Sequence, residues 1–141
     1  MTLSLETAQK IISTALAKGR EIGLKPLTVA VLDDGGHLKA MMREDGASTL
    51  RPQIAHGKAF GAVAMGIGSR ALFNRAQEQP YFIQSVNALS DGALVPVPGG
   101  VLIKDGGVIV GAVGVTGDTS DNDEICAVAG IEAAGLTADV G

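Results

Sequence analysis

The sequence predicts a three-layer α/β/α fold around a mainly antiparallel sheet of about five strands. Three observations carry that prediction. The order of elements reads helix, hairpin, helices, hairpin, helix. Val108 to Val115 is apolar on both alternate faces, as a central strand covered on both sides must be. Two glycine-rich turns, Asp33-Asp34-Gly35-Gly36 and Asp105-Gly106-Gly107, each join two apolar runs, and turns of this kind pair strands antiparallel.

Leu5 to Ile22 repeats Ala8, Ile11, Ile12, Ala15, Leu16 and Ile22 at the helical period, with Ser4 or Thr2 as cap and Gly23 and Pro26 as stop. Leu27 to Leu32 and His37 to Met42 are the strands of the first hairpin. A polar connection, Arg43 to Ser48, leads to a helix from about Leu50 to Met65, with Ser48 or Thr49 as cap and Pro52 in its first turn. Gly57 and Gly61 share a face of that helix. Each costs it about 1 kcal/mol relative to Ala, so small size at this spacing points to another backbone, or a ligand, pressing close.

Gly66-Ile67-Gly68 breaks the chain before two short helices, Ser69 to Gln77 and Gln79 to Leu89. Ala93-Leu94-Val95 is expected as a short strand before Pro96-Val97-Pro98-Gly99-Gly100. Val101 to Lys104 and Val108 to Val115 are the second hairpin. A last helix opens near Thr119, where Ser120 with Asp123, or Asp121 with Glu124, has the spacing of a capping box.

At 141 residues the chain is expected to be one domain over residues 1–141. Hydrophobic residues make up 46% and charged residues only 18%, so part of the surface is expected to face another subunit. The net charge of −4, with no Trp and one Tyr, argues against nucleic acid as a partner. The longest apolar run is too short to span a bilayer and the N-terminus lacks a signal-peptide pattern, so no membrane partner and a cytoplasmic location are expected. A single cysteine, Cys126, excludes an internal disulfide and reads as a small core residue.

No complete catalytic signature is present. Gly111 to Gly117 lacks the Gly-Lys-Ser/Thr ending of a phosphate loop. A calcium loop starting at Asp118 fails because Asp123 and Ala129 stand where glycine and a bidentate glutamate are required. His56 is the titratable residue best placed for chemistry. Gly57 beside it leaves room for a ligand, and an imidazole serves as an acid/base or as an axial ligand to haem iron. No second metal-binding side chain follows His56 three or four residues on, so no metal site is expected. Arg43, Arg51, Lys58, Arg70 and Arg75 are candidate partners for an anionic ligand, with surface solvation as the alternative.

Several segments together resemble a known family. Val29 to Leu38, Ile54-Ala55-His56-Gly57-Lys58-Ala59, Pro98 to Ile103, and Gly111 to Gly117 followed by Asp121-Asn122-Asp123-Glu124 are similar, in order, to the GlcG/HbpS-like or haem-degrading domain family, which resembles the C-terminal domain of PduO-type proteins. The resemblance implies a profilin-like α/β/α domain and a homo-oligomer such as an octamer. It also implies haem binding in some members and work in catabolic operons in others. Lys58, Gly99, Gly100 and Asp123 stand at matching positions, whereas His56 rests on its chemistry alone.

Three functional expectations follow. The first is a small-ligand-binding protein, with haem or another tetrapyrrole as candidate, held by His56 with Lys58 or Arg51 as anion partner. The pocket would lie between the Gly57/Gly61 helix and the Pro98-Gly99-Gly100 loop. The second is a cofactor-independent enzyme acting on a small carboxylate or keto acid, with His56 or Asp123 moving a proton and Lys58 or Arg43 holding the carboxylate. The third is an assembly subunit without a ligand.

Overall fold

The fold is that of a computed structural model that describes residues 2–141. Helix α1 (Leu5–Glu21) is capped by Ser4, whose Oγ accepts from the Thr7 amide at 3.1 Å. Its buried stripe is Ala8, Ile11, Ile12 and Ala15. Strands β1 (Thr28–Asp33) and β2 (Leu38–Arg43) form the first hairpin. Val31 pairs with Ala40 and Leu32 with Leu38, so Lys39 is the extra residue of a bulge on an edge strand.

Helix α2 (Arg51–Met65) has no side-chain cap. Ser48, expected to cap it, instead accepts from Arg51 Nε at 3.1 Å. Helices α3 (Ser69–Glu78) and α4 (Pro80–Leu89) precede β3 (Gly100–Asp105) and β4 (Val108–Thr116). Helix α5 (Ser120–Ala133) is capped by Thr119 rather than by Ser120 or Asp121. Strand β5 (Thr137–Asp139) closes the chain.

The sheet order is β2-β1-β4-β3-β5 and every neighbouring pair is antiparallel. Strand β4 is the middle of five, which accounts for its two apolar faces. Helices α1 and α5 pack on one face, where β1, β3 and β4 present Val29, Val31, Val101, Ile103, Val113 and Val115. The other face presents small residues and receives α2: a Cβ on Gly114 would lie 1.9 Å from the Ala55 carbonyl oxygen. The sheet is thus asymmetric, with large side chains spacing one helix layer away and small ones letting α2 rest its backbone on the sheet.

The fifth strand is not where the sequence places it. Residues 93–95 form no strand; they lie along α2, where the Val95 amide donates to the Gly57 carbonyl at 3.2 Å. A Cβ on Gly57 would meet Val95 at 2.5 Å, and one on Gly61 would meet Leu72 at 3.2 Å and Leu94 at 3.3 Å. The close approach expected at these glycines occurs, but this segment occupies the space assigned to a ligand. The apolar pattern of Ala93-Leu94-Val95 serves helix packing, and the sheet edge goes to Thr137–Asp139, paired with β3.

Candidate functional site

The sequence-predicted residues fall into two groups on opposite sides of α2. The first gathers Lys58, Asp123, Gly99 and Gly100. Lys58 is buried because α2 lies directly on the sheet, so its side chain runs to the end of β4 rather than to water. Its Nζ donates to the Val115 carbonyl at 2.9 Å and to Asp123 Oδ2 at 3.1 Å. Relative exposures are 2% and 1% for the two side chains. Burial pushes the Lys58 amine below its ordinary value, with Asp123 opposing. Burial likewise pushes the Asp123 carboxyl up, with Lys58 opposing.

The glycine pair makes this burial possible. Gly99 adopts φ +119, and a Cβ there would lie 2.6 Å from the Val115 carbonyl oxygen and 2.9 Å from Lys58 Nζ. At Gly100 a Cβ would lie 2.2 Å from the Lys58 carbonyl oxygen. The Gly100 amide donates to Ser69 Oγ at 2.7 Å, a partner with no signal in the sequence. Asp123 Oδ1 accepts from the Asp118 amide at 2.9 Å. Asp118 in turn accepts from Asn122 Nδ2 at 2.8 Å, from the Lys25 amide at 3.0 Å and from the Thr119 amide at 2.8 Å. These bonds, the Asn122 contact foremost, hold the Asp118 carboxyl down at about 2. The acidic stretch therefore ties the start of α5 to the sheet.

Arg51 sits at the margin of this group. Its Nη1 donates to Thr116 Oγ1 at 2.8 Å and its Nε to Ser48. The Thr116 partner on β1, Thr28, is buried with its hydroxyl unpaired.

His56 is not brought to the lysine. It is half-buried, and its ring stacks on Phe60 with centroids 6.1 Å apart and planes 13° apart. Among the described residues no group hydrogen-bonds either ring nitrogen. Phe60 lies one turn on from His56, a spacing readable in the sequence, and its ring reaches the hairpin turn at Gly36. His37 is a solvated strand neighbour, its Nδ1 3.3 Å from Asp33 Oδ1.

Two open clefts flank these groups. One of about 410 Å³ lies between α1 and β2, lined by Leu16, Arg20, Pro26, Met42, Arg43 and Glu44 among others. The second, about 270 Å³, is lined by Arg70, Phe73, Pro98, Thr119, Ser120 and Asp121. Arg70 is spent there on Glu124, at 3.0 Å from Oε2, and on Asp121. Among the described residues no three His, Cys, Asp or Glu side chains are grouped to hold a metal ion. No described helix is long and apolar enough to cross a membrane.

Residues 3–132 match the family described as "Haem degrading protein HbpS-like". The chain is 30% identical over 128 residues to the Citrobacter freundii "Uncharacterized 15.0 kDa protein in dhaT-dhaS intergenic region", covering 89% of this chain and 87% of that one. It is 32% identical over 112 residues to "Protein GlcG" of Escherichia coli strain K12, covering 77% and 80%. Among solved structures, PduOC in complex with haem shares the fold at a TM-score of 0.87 and 23% identity, over 96% of this chain and 97% of that one.

Proposed function

The chain belongs to the HbpS-like family, and we propose from that premise that it binds a tetrapyrrole, with haem as the candidate, on the His56 side of α2. The observation that carries the reading is an imidazole with no hydrogen-bond partner at either nitrogen among the described residues, its ring lying nearly parallel to that of Phe60. Such a nitrogen is available to a metal. Arg51, one expected anion partner, lies on the Lys58 side of α2, where Thr116 and Ser48 take two of its nitrogens, so it does not serve the His56 side. Lys58, the other expected anion partner, is held by Asp123, and Gly99 and Gly100 act in this reading by closing the loop over it. When bound, haem would supply an iron centre for redox or oxygen chemistry. This chain's residues would orient it and screen it from water.

Titration with haem, followed by absorbance, tests the reading. A Soret band should appear on titration and shift or weaken in His56→Ala. An unchanged spectrum in that variant removes His56 from the site, and no band in the parent protein ends the proposal.

The reading includes a homo-oligomer, with an octamer as the expected count. The support is a set of large apolar side chains left in water, among them Leu50 at 62%, Tyr81 at 66% and Leu89 at 85% exposure. Light scattering on the eluting protein gives the subunit number, and a monomer would rule assembly out.

A further inference from the structure

We propose that the open edge of β2 pairs with the β2 edge of a second copy of this chain, joining the two sheets across a two-fold axis at Met42. The proposal rests on the homo-oligomer reading above and gives that assembly an interface. The sheet order leaves β2 and β5 at its two ends. Strand β5 has three residues, whereas β2 has six. The bulge in β2 is confined to Lys39, at the turn end, so residues 40–43 keep a regular register.

The ladder to β1 decides which backbone groups are free. The Glu44 amide donates to the Leu27 carbonyl at 2.9 Å, one step beyond the Thr28–Arg43 pair. Bonded and non-bonded pairs alternate along an antiparallel ladder, so Met42 and Ala40 also turn their backbone groups to β1. Met41 and Arg43 turn theirs to the open edge. Met42 lies across from Val29, on the sheet face that carries α1, yet it is 56% exposed. Leu16 of α1, Pro26 and Met42 line one cleft there, an apolar floor that runs out to the sheet edge.

Charge selects among the two-fold registers that bond these outward groups. An axis at Met41 sets Lys39 opposite Arg43 of the second copy, and an axis at Arg43 sets two arginines face to face; like charges directly opposite are destabilising. An axis at Ala40 runs the ladder through the bulge. An axis at Met42 pairs Met41 with Arg43 of the second copy, and Arg43 with its Met41, each pair exchanging both backbone hydrogen bonds. It also sets Lys39 across from Asp45 of the second copy. Neither residue makes an ion pair within its own chain among the described residues. The two Met42 side chains then meet on the axis, covering the floor that each leaves open alone. They form a non-bonded pair with Cα atoms about 4.5 Å apart.

That spacing supplies the test, because Cα atoms about 4.4–6.8 Å apart accept a disulfide. Met42→Cys changes an exposed side chain, and the native Cys126 is buried, so the new thiol is the one that reacts. Mild oxidation should convert the variant to a disulfide-linked dimer on a non-reducing gel. Leu38→Cys, 52% exposed on the same strand, should stay uncrosslinked, since an axis at Met42 carries the two Leu38 residues to opposite ends of the pair. Equal cross-linking of both variants marks random collision and overturns the proposal. Light scattering on the parent protein separates the remaining failures. A monomer overturns the assembly reading and this interface together, whereas an oligomer whose Met42→Cys variant does not cross-link keeps the assembly and overturns the interface. Lys39→Asp should promote dissociation on dilution and Lys39→Asp with Asp45→Lys should restore the parent behaviour; a double variant no better than the single overturns the register.

Discussion

Lys58 Nζ lies 3.1 Å from Asp123 Oδ2 with both side chains closed to solvent, although 65 residues separate them in the chain. The contact joins the middle of α2 to the first turn of α5 across the end of β4. An ion pair this deep costs desolvation on both sides, so its value lies in neither charge standing alone.

Removing one partner should therefore cost more than removing both. Lys58→Met or Asp123→Asn alone should destabilise the protein by about 3–5 kcal/mol, each leaving a buried group uncompensated. The double variant should cost clearly less than the sum of the two. Urea midpoints measure all three, and simple additivity would show that the two groups do not interact.

Gly114→Ala should be among the most damaging small substitutions. Its methyl group would sit 1.9 Å from the Ala55 carbonyl oxygen, which is helix backbone and cannot step aside. A loss of about 3 kcal/mol is expected, at the upper end of overpacking costs. Gly66→Ala is the control, with φ +72 but nothing within 4 Å. It should lose only the left-handed backbone cost of about 1–2 kcal/mol. Thermal melts of the two variants separate packing from backbone strain.

Alkaline pH should weaken the fold through Cys126. Burial, then the charge of Asp123, pushes its thiol up from 9.0 to about 11. Because the folded value is the higher one, the unfolded chain ionises first. The contribution is complete below pH 9 and is lost as pH rises towards 11, about 2–3 kcal/mol in all. Urea midpoints should fall over that window in the parent protein and fall less in Cys126→Ala. Thiol reagents should react only on unfolding.

Asp118 should act at the opposite end of the scale. Its carboxyl, held at about 2 by Asn122 and the Lys25 and Thr119 amides, has a folded value below the ordinary 3.8. Its contribution is present above 3.8 and is lost as pH falls towards 2. Asp118→Asn should flatten the acid limb of the stability profile there, and an unchanged limb would assign acid sensitivity elsewhere.

The sequence by itself determined the layers, because period and turn chemistry are local. Ser4 capped α1 as read, the turns at Gly36 and Gly106–Gly107 made the hairpins, and Val108 to Val115 was apolar on both faces because it is the middle strand. Thr137–Asp139 was not legible, since three residues carry no alternation long enough to read. Ala93-Leu94-Val95 looked like a strand because a segment lying on the Gly57/Gly61 face needs the same apolar residues.

The site depended on tertiary structure more heavily. His56 and Lys58 are two residues apart, and nothing local says that one meets an aromatic ring while the other goes under the sheet end. A lysine in a helix ordinarily reads as solvated. Lys58 is buried only because small residues on β4 let α2 settle onto the sheet, and because Gly99 and Gly100 close over it without side chains. Those contacts join residues far apart in the chain, so only folding could decide that Lys58, Gly99, Gly100 and Asp123 form one buried centre and that His56 stands outside it.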